Sequence, residues 1–262
     1  MRFFFEITYD GAAYNGWQNQ ANAIGVQQVV EQTLSKLFRT PVAIVGSGRT
    51  DTGVHCLQQF FHSDLDTEFS IPELLQRLNA FLPKDIAIRS IRPVRADAHA
   101  RYHARSRSYE YLIVTRKTPL LVGRAHYFFK PLDIDLMNAA AYALIGEHDF
   151  TSFSKVKTDV NHFRCVIYRA EWKKKGDRLI FFISANRFLR GMVRAVVGTL
   201  LDVGTKKISV REFQQIVASQ DRRKAGMNVP AAGLYLTKVT YPPKVFRVKA
   251  PHSLSGTSRK EK

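Results

Sequence analysis

Apolar positions along this chain follow two rhythms, and the places where one gives way to the other mark its elements. Phe3–Tyr9 is a β-branched and aromatic run closed by the turn pair Asp10-Gly11, which predicts a strand. From Gly25 to Phe38 the apolar residues fall at Val26, Val29, Val30, Leu34, Leu37 and Phe38, the spacing of an amphipathic helix. Pro41–Val45 reads as a strand, followed by the turn Gly46-Ser47-Gly48, and Cys56–His62 as another. Ile71–Phe81 has helical spacing with Pro72 at its start and Pro83 beyond its end, and Ile86–Pro93 is strand-like.

The second half uses longer pieces. Arg107–Arg116 predicts a strand and Asp133–Ile145 a helix, and Cys165–Lys174 and Leu179–Ala185 read as a hairpin across Lys175-Gly176-Asp177. Phe188–Val203 predicts a helix with Leu189, Val193, Val196, Val197 and Leu200 on one face. Val210–Ser219 is a shorter helix, and Gly233 opens a last strand, Leu234–Tyr241. The first half thus has the order β-α-β-β-α-β, the ferredoxin-like pattern, and the second repeats the idea. The expected fold is α+β: two ferredoxin-like or RRM-like halves whose antiparallel sheets join into one extended mixed sheet flanked by helices, with a cleft between them. The expected divisions are residues 1–100, residues 101–243, and a basic, mobile tail over residues 244–262.

Charge changes the picture more than composition does. The 262 residues carry 40 Lys and Arg against 22 Asp and Glu, a net +18, and 45% are hydrophobic, which suits a globular chain. Residues 1–88 hold 6 basic and 9 acidic side chains, and residues 89–262 hold 34 and 13, so these two stretches carry −3 and +21. Such a surface suits a polyanion, and nucleic acid is the commonest. No apolar run is long enough to span a membrane, and the immediate strand at the N-terminus leaves no room for a leader peptide. Two cysteines make no disulfide framework, pointing to a reduced, cytoplasmic setting.

The densest chemistry is the loop GSGRTDTGVHCLQQ, Gly46 to Gln59. Glycines 46, 48 and 53 permit sharp turns and close approach, and Arg49 and Asp51 stand between them. A carboxylate on a rigid loop beside a cation stays ionised and can act as nucleophile or base. The same spacing also fits an Asp that closes a turn and an Arg bound to a carbonyl. His55 reads as a hydrogen-bonding residue. With Cys56, His62 and Cys165 it lacks zinc-ligand spacing, so no metal is expected. Between Arg89 and Lys117 lie eight basic and two acidic side chains, interleaved with Tyr102, Tyr109 and Tyr111, a mixture suited to stacking on bases and holding phosphates. Tyr109 and Tyr111 share one face of their strand, and Tyr111 reads as a core residue with a wet hydroxyl. Arg187, Arg190 and Arg194 follow at i, i+3 and i+7, one side of a helix too apolar to be anything but buried; a buried arginine needs a partner, and a carboxylate is a suitable one. The acidic group Asp64, Asp66 and Glu68 reads as a solvated loop rather than the metal-holding cluster of a nuclease.

These pieces together resemble the pseudouridine synthases, in particular the TruA type that acts on tRNA. The resemblance rests on Gly48–His55, on Tyr9–Gln18 (YDGAAYNGWQ), on the Arg-x-Tyr-x-Tyr strand Arg107–Tyr111, on Glu147–Phe153 (EHDFTSF), on Phe188–Gly204, and on Ala231–Pro242, in the family's order over nearly the whole chain. Thr52 stands where alanine is usual, and Arg190-Gly191 where bulkier side chains are common. The resemblance implies that Asp51 is the nucleophile, that Tyr109 packs on the target base and is a candidate for proton transfer, and that Arg194 pairs with the catalytic carboxylate. It further implies that Arg49 enters the RNA and that Leu234 lines the uracil pocket. It also implies a tRNA substrate modified at uridines 38, 39 and 40 of the anticodon stem-loop, a homodimer, and no cofactor. A different reading, from charge and aromatics alone, is a non-catalytic RNA-binding or ribosome-assembly protein.

Overall fold

The computed structural model describes residues 1–155 and 161–246; of the expected basic tail, residues 247–262 lie outside the described residues. The chain runs β1 (Arg2–Tyr9), α1 (Val26–Phe38), β2 (Val45–Gly46), β3 (His55–Asp64), α2 (Ile71–Phe81), β4 (Ile86–Pro93), β5 (Ser106–Val114), β6 (His126–Tyr127), α3 (Ile134–Tyr142), β7 (Gly146–Asp149), β8 (Arg164–Lys175), β9 (Arg178–Ala185), α4 (Met192–Gly204), α5 (Val210–Ser219) and β10 (Leu234–Thr240). Local chemistry fixes several ends. Ser70 caps α2, accepting from the Glu73 N–H; Asp133 caps α3; and Ser209 and Glu212 form a reciprocal capping box on α5.

One mixed sheet of ten strands results, with the order β4-β1-β3-β10-β5-β9-β8-β7, β2 on β3 and β6 on β5. Each half contributes the same local order, β4-β1-β3-β2 and β10-β5-β9-β8, as the ferredoxin-like pattern requires. The halves join where β10 lies parallel to β3, Tyr235 opposite His55 and Leu236 opposite Cys56, while its other edge runs antiparallel to β5. The last strand is therefore central. Its Leu236 and Val239 pack with Phe4, Phe5, Phe61 and the inner faces of α1 and α2, whereas its Leu234 packs with Tyr111, Phe181 and α4. Tyr109 touches both apolar clusters.

Three expectations change. The stretch Pro41–Ile44 is not a strand, because its backbone is bound by α1 side chains instead: Val42 N–H donates to Ser35 Oγ, Ile44 N–H to Glu31 Oε1, and Gln27 Nε2 to the Ile44 carbonyl. The helix expected from Phe188 begins only at Met192, since Gly191 at φ 73° breaks the backbone before it. Arg187 and Arg190 consequently precede α4 and do not share a helix face with Arg194. The chain after Pro242 does not fray at once: Pro243–Phe246 is a helical turn with Val245 buried and Phe246 edge-on to Phe4.

Candidate active site

The loop joining β2 to β3 is held by the chain that follows β1. Trp17 N–H donates to the Thr50 carbonyl, Gly53 N–H to the Tyr14 carbonyl, and the Tyr9 hydroxyl meets Thr50 Oγ1 at 2.9 Å. The approach is close enough to demand glycine on the partner side. A Cβ on Gly16, at φ +82°, would stand 2.2 Å from the Thr50 carbonyl oxygen, and one on Gly11 would stand 2.0 Å from that of Val54. Within the loop, Gly53 takes φ +76°, the Trp17 indole fills the space beside Gly46, and Gly48 faces open space. Asp51 sits half-buried in this frame, just before the turn Thr52-Gly53.

Across the junction, α4 presents Arg194. Its Nε donates to the Val229 carbonyl at 2.7 Å, which aims the guanidinium, and its Nη1 lies 3.8 Å from Asp51 Oδ2. Both side chains are about a quarter exposed, 22% for Arg194 and 27% for Asp51, so the pair is open to a ligand on one side and shielded on the other. The Arg194 geometry is that of an ion pair and not a hydrogen bond, which leaves the carboxylate lone pairs available for chemistry. Tyr109, on β5, lies alongside. Its ring stands edge-on to Phe188 at 5.1 Å, and burial, reinforced by the Asp51 charge, raises its hydroxyl well above the ordinary tyrosine value, so it is a neutral phenol that can donate or accept a hydrogen bond.

The matching family model is described as tRNA pseudouridine synthase and covers residues 7–103 and 140–242. The chain belongs to the tRNA pseudouridine synthase family. It is an enzyme of isomerase type, with tRNA as the family's substrate. A relative named tRNA pseudouridine synthase A from Porphyromonas gingivalis is 47% identical over 249 residues, covering 94% of this chain and 99% of its own. Others of the same name from Parabacteroides distasonis and Bacteroides fragilis are 45% and 42% identical, covering 95% and 94% of this chain and 99% and 98% of their own. Asp51, Arg49, Arg194 and Leu234 fall within the matched stretches of the tRNA pseudouridine synthase model, and Tyr109 falls between them.

The residues expected to form the site therefore meet unequally. Asp51, Arg194 and Tyr109 converge. Arg49 is exposed and turned away from Asp51, its Nε donating to Gln18 Oε1 at 2.9 Å, so the cation beside the carboxylate is Arg194 from the other half. Leu234 is 5% exposed, opposite Tyr111 and on the same sheet face as Tyr109. Tyr111 is fully buried, and its hydroxyl is not wet but donates to the Pro230 carbonyl at 2.8 Å. His55 is a hydrogen-bonding residue: Nδ1 accepts from the Gly11 N–H and lies 3.0 Å from Asp10, Nε2 meets the Gly123 carbonyl, and the ring stacks on Tyr235. Asp64 is held by Arg2, and among the described residues no group of three His, Cys, Asp or Glu side chains could hold a metal.

One residue that supports the site was read only as the first member of the Arg-x-Tyr-x-Tyr strand, with no role of its own. Arg107 donates to four backbone carbonyls: Ser47 beside the Asp51 loop, Asn186 before α4, and Arg101 and Ala104 in the connection between halves. Burial lowers its guanidinium below the ordinary arginine value, but arginine's basicity keeps it charged. The motif marked its position, but its carbonyl partners lie up to 79 residues away and no local pattern names them.

Proposed function

We propose that this chain converts uridine to pseudouridine at positions 38, 39 and 40 of the anticodon stem-loop of tRNA, with Asp51 as the reacting carboxylate. The meeting of Asp51 and Arg194 across the junction of the halves, with Tyr109 beside them, carries this reading. The reaction breaks the uracil N1–C1′ bond, turns the base, and forms C5–C1′; the C5 proton is lost and N1 gains one, so no electrons and no group donor are needed. The target base must first leave its stack, at a cost of a few kcal/mol that is least in a loop or at a stem end. Stacking on the neutral Tyr109 ring, worth about 1–3 kcal/mol, offsets much of this. Asp51 then acts on the ribosyl–uracil unit as nucleophile, and Arg194 stabilises its charge. Leu234 supplies an apolar wall for the uracil, and Arg49, free to leave Gln18, enters the space the base vacates. The same reading makes the enzyme a cytoplasmic homodimer, in keeping with two buried, unpaired cysteines and with the resemblance to TruA-type enzymes. A purely RNA-binding protein has no use for a carboxylate–guanidinium pair assembled from both halves.

The test is to treat unmodified tRNA transcripts with the protein and map pseudouridine. Asp51→Asn should abolish product while tRNA binding persists. Product formation by Asp51→Asn at the wild-type rate would remove Asp51 from the chemistry.

A further inference from the structure

The turn His99–His103 carries an aromatic that the chemistry above leaves unused. Tyr102 is 75% exposed, yet it is held firmly. Its ring packs on His99 at 4.2 Å between centroids, and His99 packs on the buried His62 at 4.8 Å. The turn's backbone is bonded on every side: the N–H groups of Arg101 and Tyr102 donate to His99 Nδ1, the His99 N–H donates to His103 Nδ1, Ala100 N–H donates to His62 Nδ1, and the Ala100 carbonyl accepts from the Tyr241 hydroxyl. The ring is thus fixed against the protein on its His99 side and otherwise largely exposed. The Arg101 guanidinium carbon stands over the ring, 5.8 Å from its centroid, on an exposed side chain that can swing to a phosphate as a base takes its place, and Arg105 follows.

The turn is also joined to the reacting loop. A single nitrogen, Arg107 Nη2, donates to the carbonyls of Arg101 and Ser47 at 2.9 Å each, so those two oxygens lie within 5.8 Å of one another. Asp51 is four residues past Ser47, about 15 Å of chain at most. An exposed, pre-ordered aromatic flanked by arginines is the device by which proteins hold an unpaired base, because every base has a π-face and ordering the ring beforehand removes an entropic cost.

We propose that Tyr102 is a second stacking platform, which takes a non-reacting base of the RNA near the target uridine while Arg101 and Arg105 meet the adjoining phosphates. The inference rests on the tRNA reading above, and the experiment separates the two. Full-length wild type, Tyr102→Ala and Tyr102→Phe are compared on an unmodified tRNA transcript with uridine at position 39, measuring pseudouridine KM and kcat, tRNA affinity by filter binding, and thermal unfolding. Tyr102→Ala should raise KM and Kd together by roughly fivefold to a hundredfold, the range expected for one lost stack, with kcat within about twofold of wild type. Tyr102→Phe should behave as wild type, and neither variant should shift the unfolding temperature, since the ring is exposed. Unchanged KM in Tyr102→Ala, a loss confined to kcat, or a Tyr102→Phe variant as weak as Tyr102→Ala overturns the proposal. An unchanged RNA affinity together with a shift from dimer to monomer on sedimentation also overturns it, and makes the ring a contact between copies. If wild type binds this tRNA but forms no pseudouridine while Tyr102→Ala still weakens binding, the catalytic reading falls and the platform stands.

Discussion

At the scale of single residues, the molecule spends buried polar groups on placement. His62 shows this with a measurable consequence. It is 5% exposed, and burial, aided by the nearby Arg2 charge, lowers its imidazole to about 4. Its neutral Nδ1 accepts the Ala100 N–H and so supports the turn that carries Tyr102. The folded state binds the proton less readily than the unfolded chain, whose histidine titrates near its usual value of about 6.5. Above that pH both states hold neutral histidine and nothing is lost. As the pH falls from about 6.5 to 4 the unfolded chain gains a proton that the folded one refuses, and stability drops by on the order of 2–3 kcal/mol. His62→Asn keeps an acceptor near the Nδ1 position and removes the titration. Denaturant unfolding of the two proteins should therefore give curves that converge toward pH 4 from a wild-type advantage at pH 7. Parallel curves across that range would show that His62 does not titrate differently on folding.

At the scale of elements, what was legible followed local chemistry and what was not followed partners far along the chain. The helix over Ile71–Phe81 was readable to the residue because Pro72 and Pro83 punctuate it. The stretch Pro41–Ile44 has the composition of a strand, but α1 binds its backbone first, a competition no local pattern reveals. Phe188 and Leu189 supplied the apolar spacing of a helix from a loop that packs into the core without being helical. β6 and β7, of two and four residues, are too short and polar for a period to show. The loop holding Asp51 was legible as chemistry, though its true clamp, the segment after β1, was visible only as a motif. That clamp makes a sharp contrast testable. Gly16→Ala forces a Cβ toward the Thr50 carbonyl and places alanine at a positive φ, so it should cost about 2 kcal/mol or more. If the loop shifts by 1 Å to relieve the clash, kcat should fall on the order of a hundredfold. Gly48→Ala, two residues before Thr50 but facing open space, should change stability by less than about 0.5 kcal/mol. Equal unfolding temperatures for the two variants would mean that the close approach does not govern the loop.

At the scale of the whole molecule, the site exists because the last strand is threaded into the middle of the sheet. The sequence pattern shows two halves and an expectation that their sheets join, but not that β10 is the strand shared between β3 and β5, because that pairing is settled by contacts far along the chain, such as the Val239 N–H to Gln58 bond across 181 residues. Joining the halves sets Asp51, from residues 1–100 with 9 basic and 10 acidic side chains, against Arg194, from residues 101–243 with 25 and 11. The division of labour has a physical logic. A carboxylate that must react as an anion is best carried by the segment that does not itself attract the polyanion, and the cationic half can draw in the RNA without crowding the Asp51 loop with surplus positive groups. Affinity and chemistry should then respond differently to salt. Each phosphate neutralised contributes a log–log slope of about −0.7 to −0.9, so about five contacts weaken binding by some hundredfold between 50 and 200 mM salt. The ion pair at the junction is partly shielded from the same screening. Raising salt should therefore raise KM for tRNA steeply while kcat at saturating tRNA stays nearly constant. A KM that ignores salt would mean that the cationic half does not meet the RNA backbone; a kcat that falls in step with affinity would mean that the Asp51–Arg194 pair is open to solvent ions while the RNA is bound.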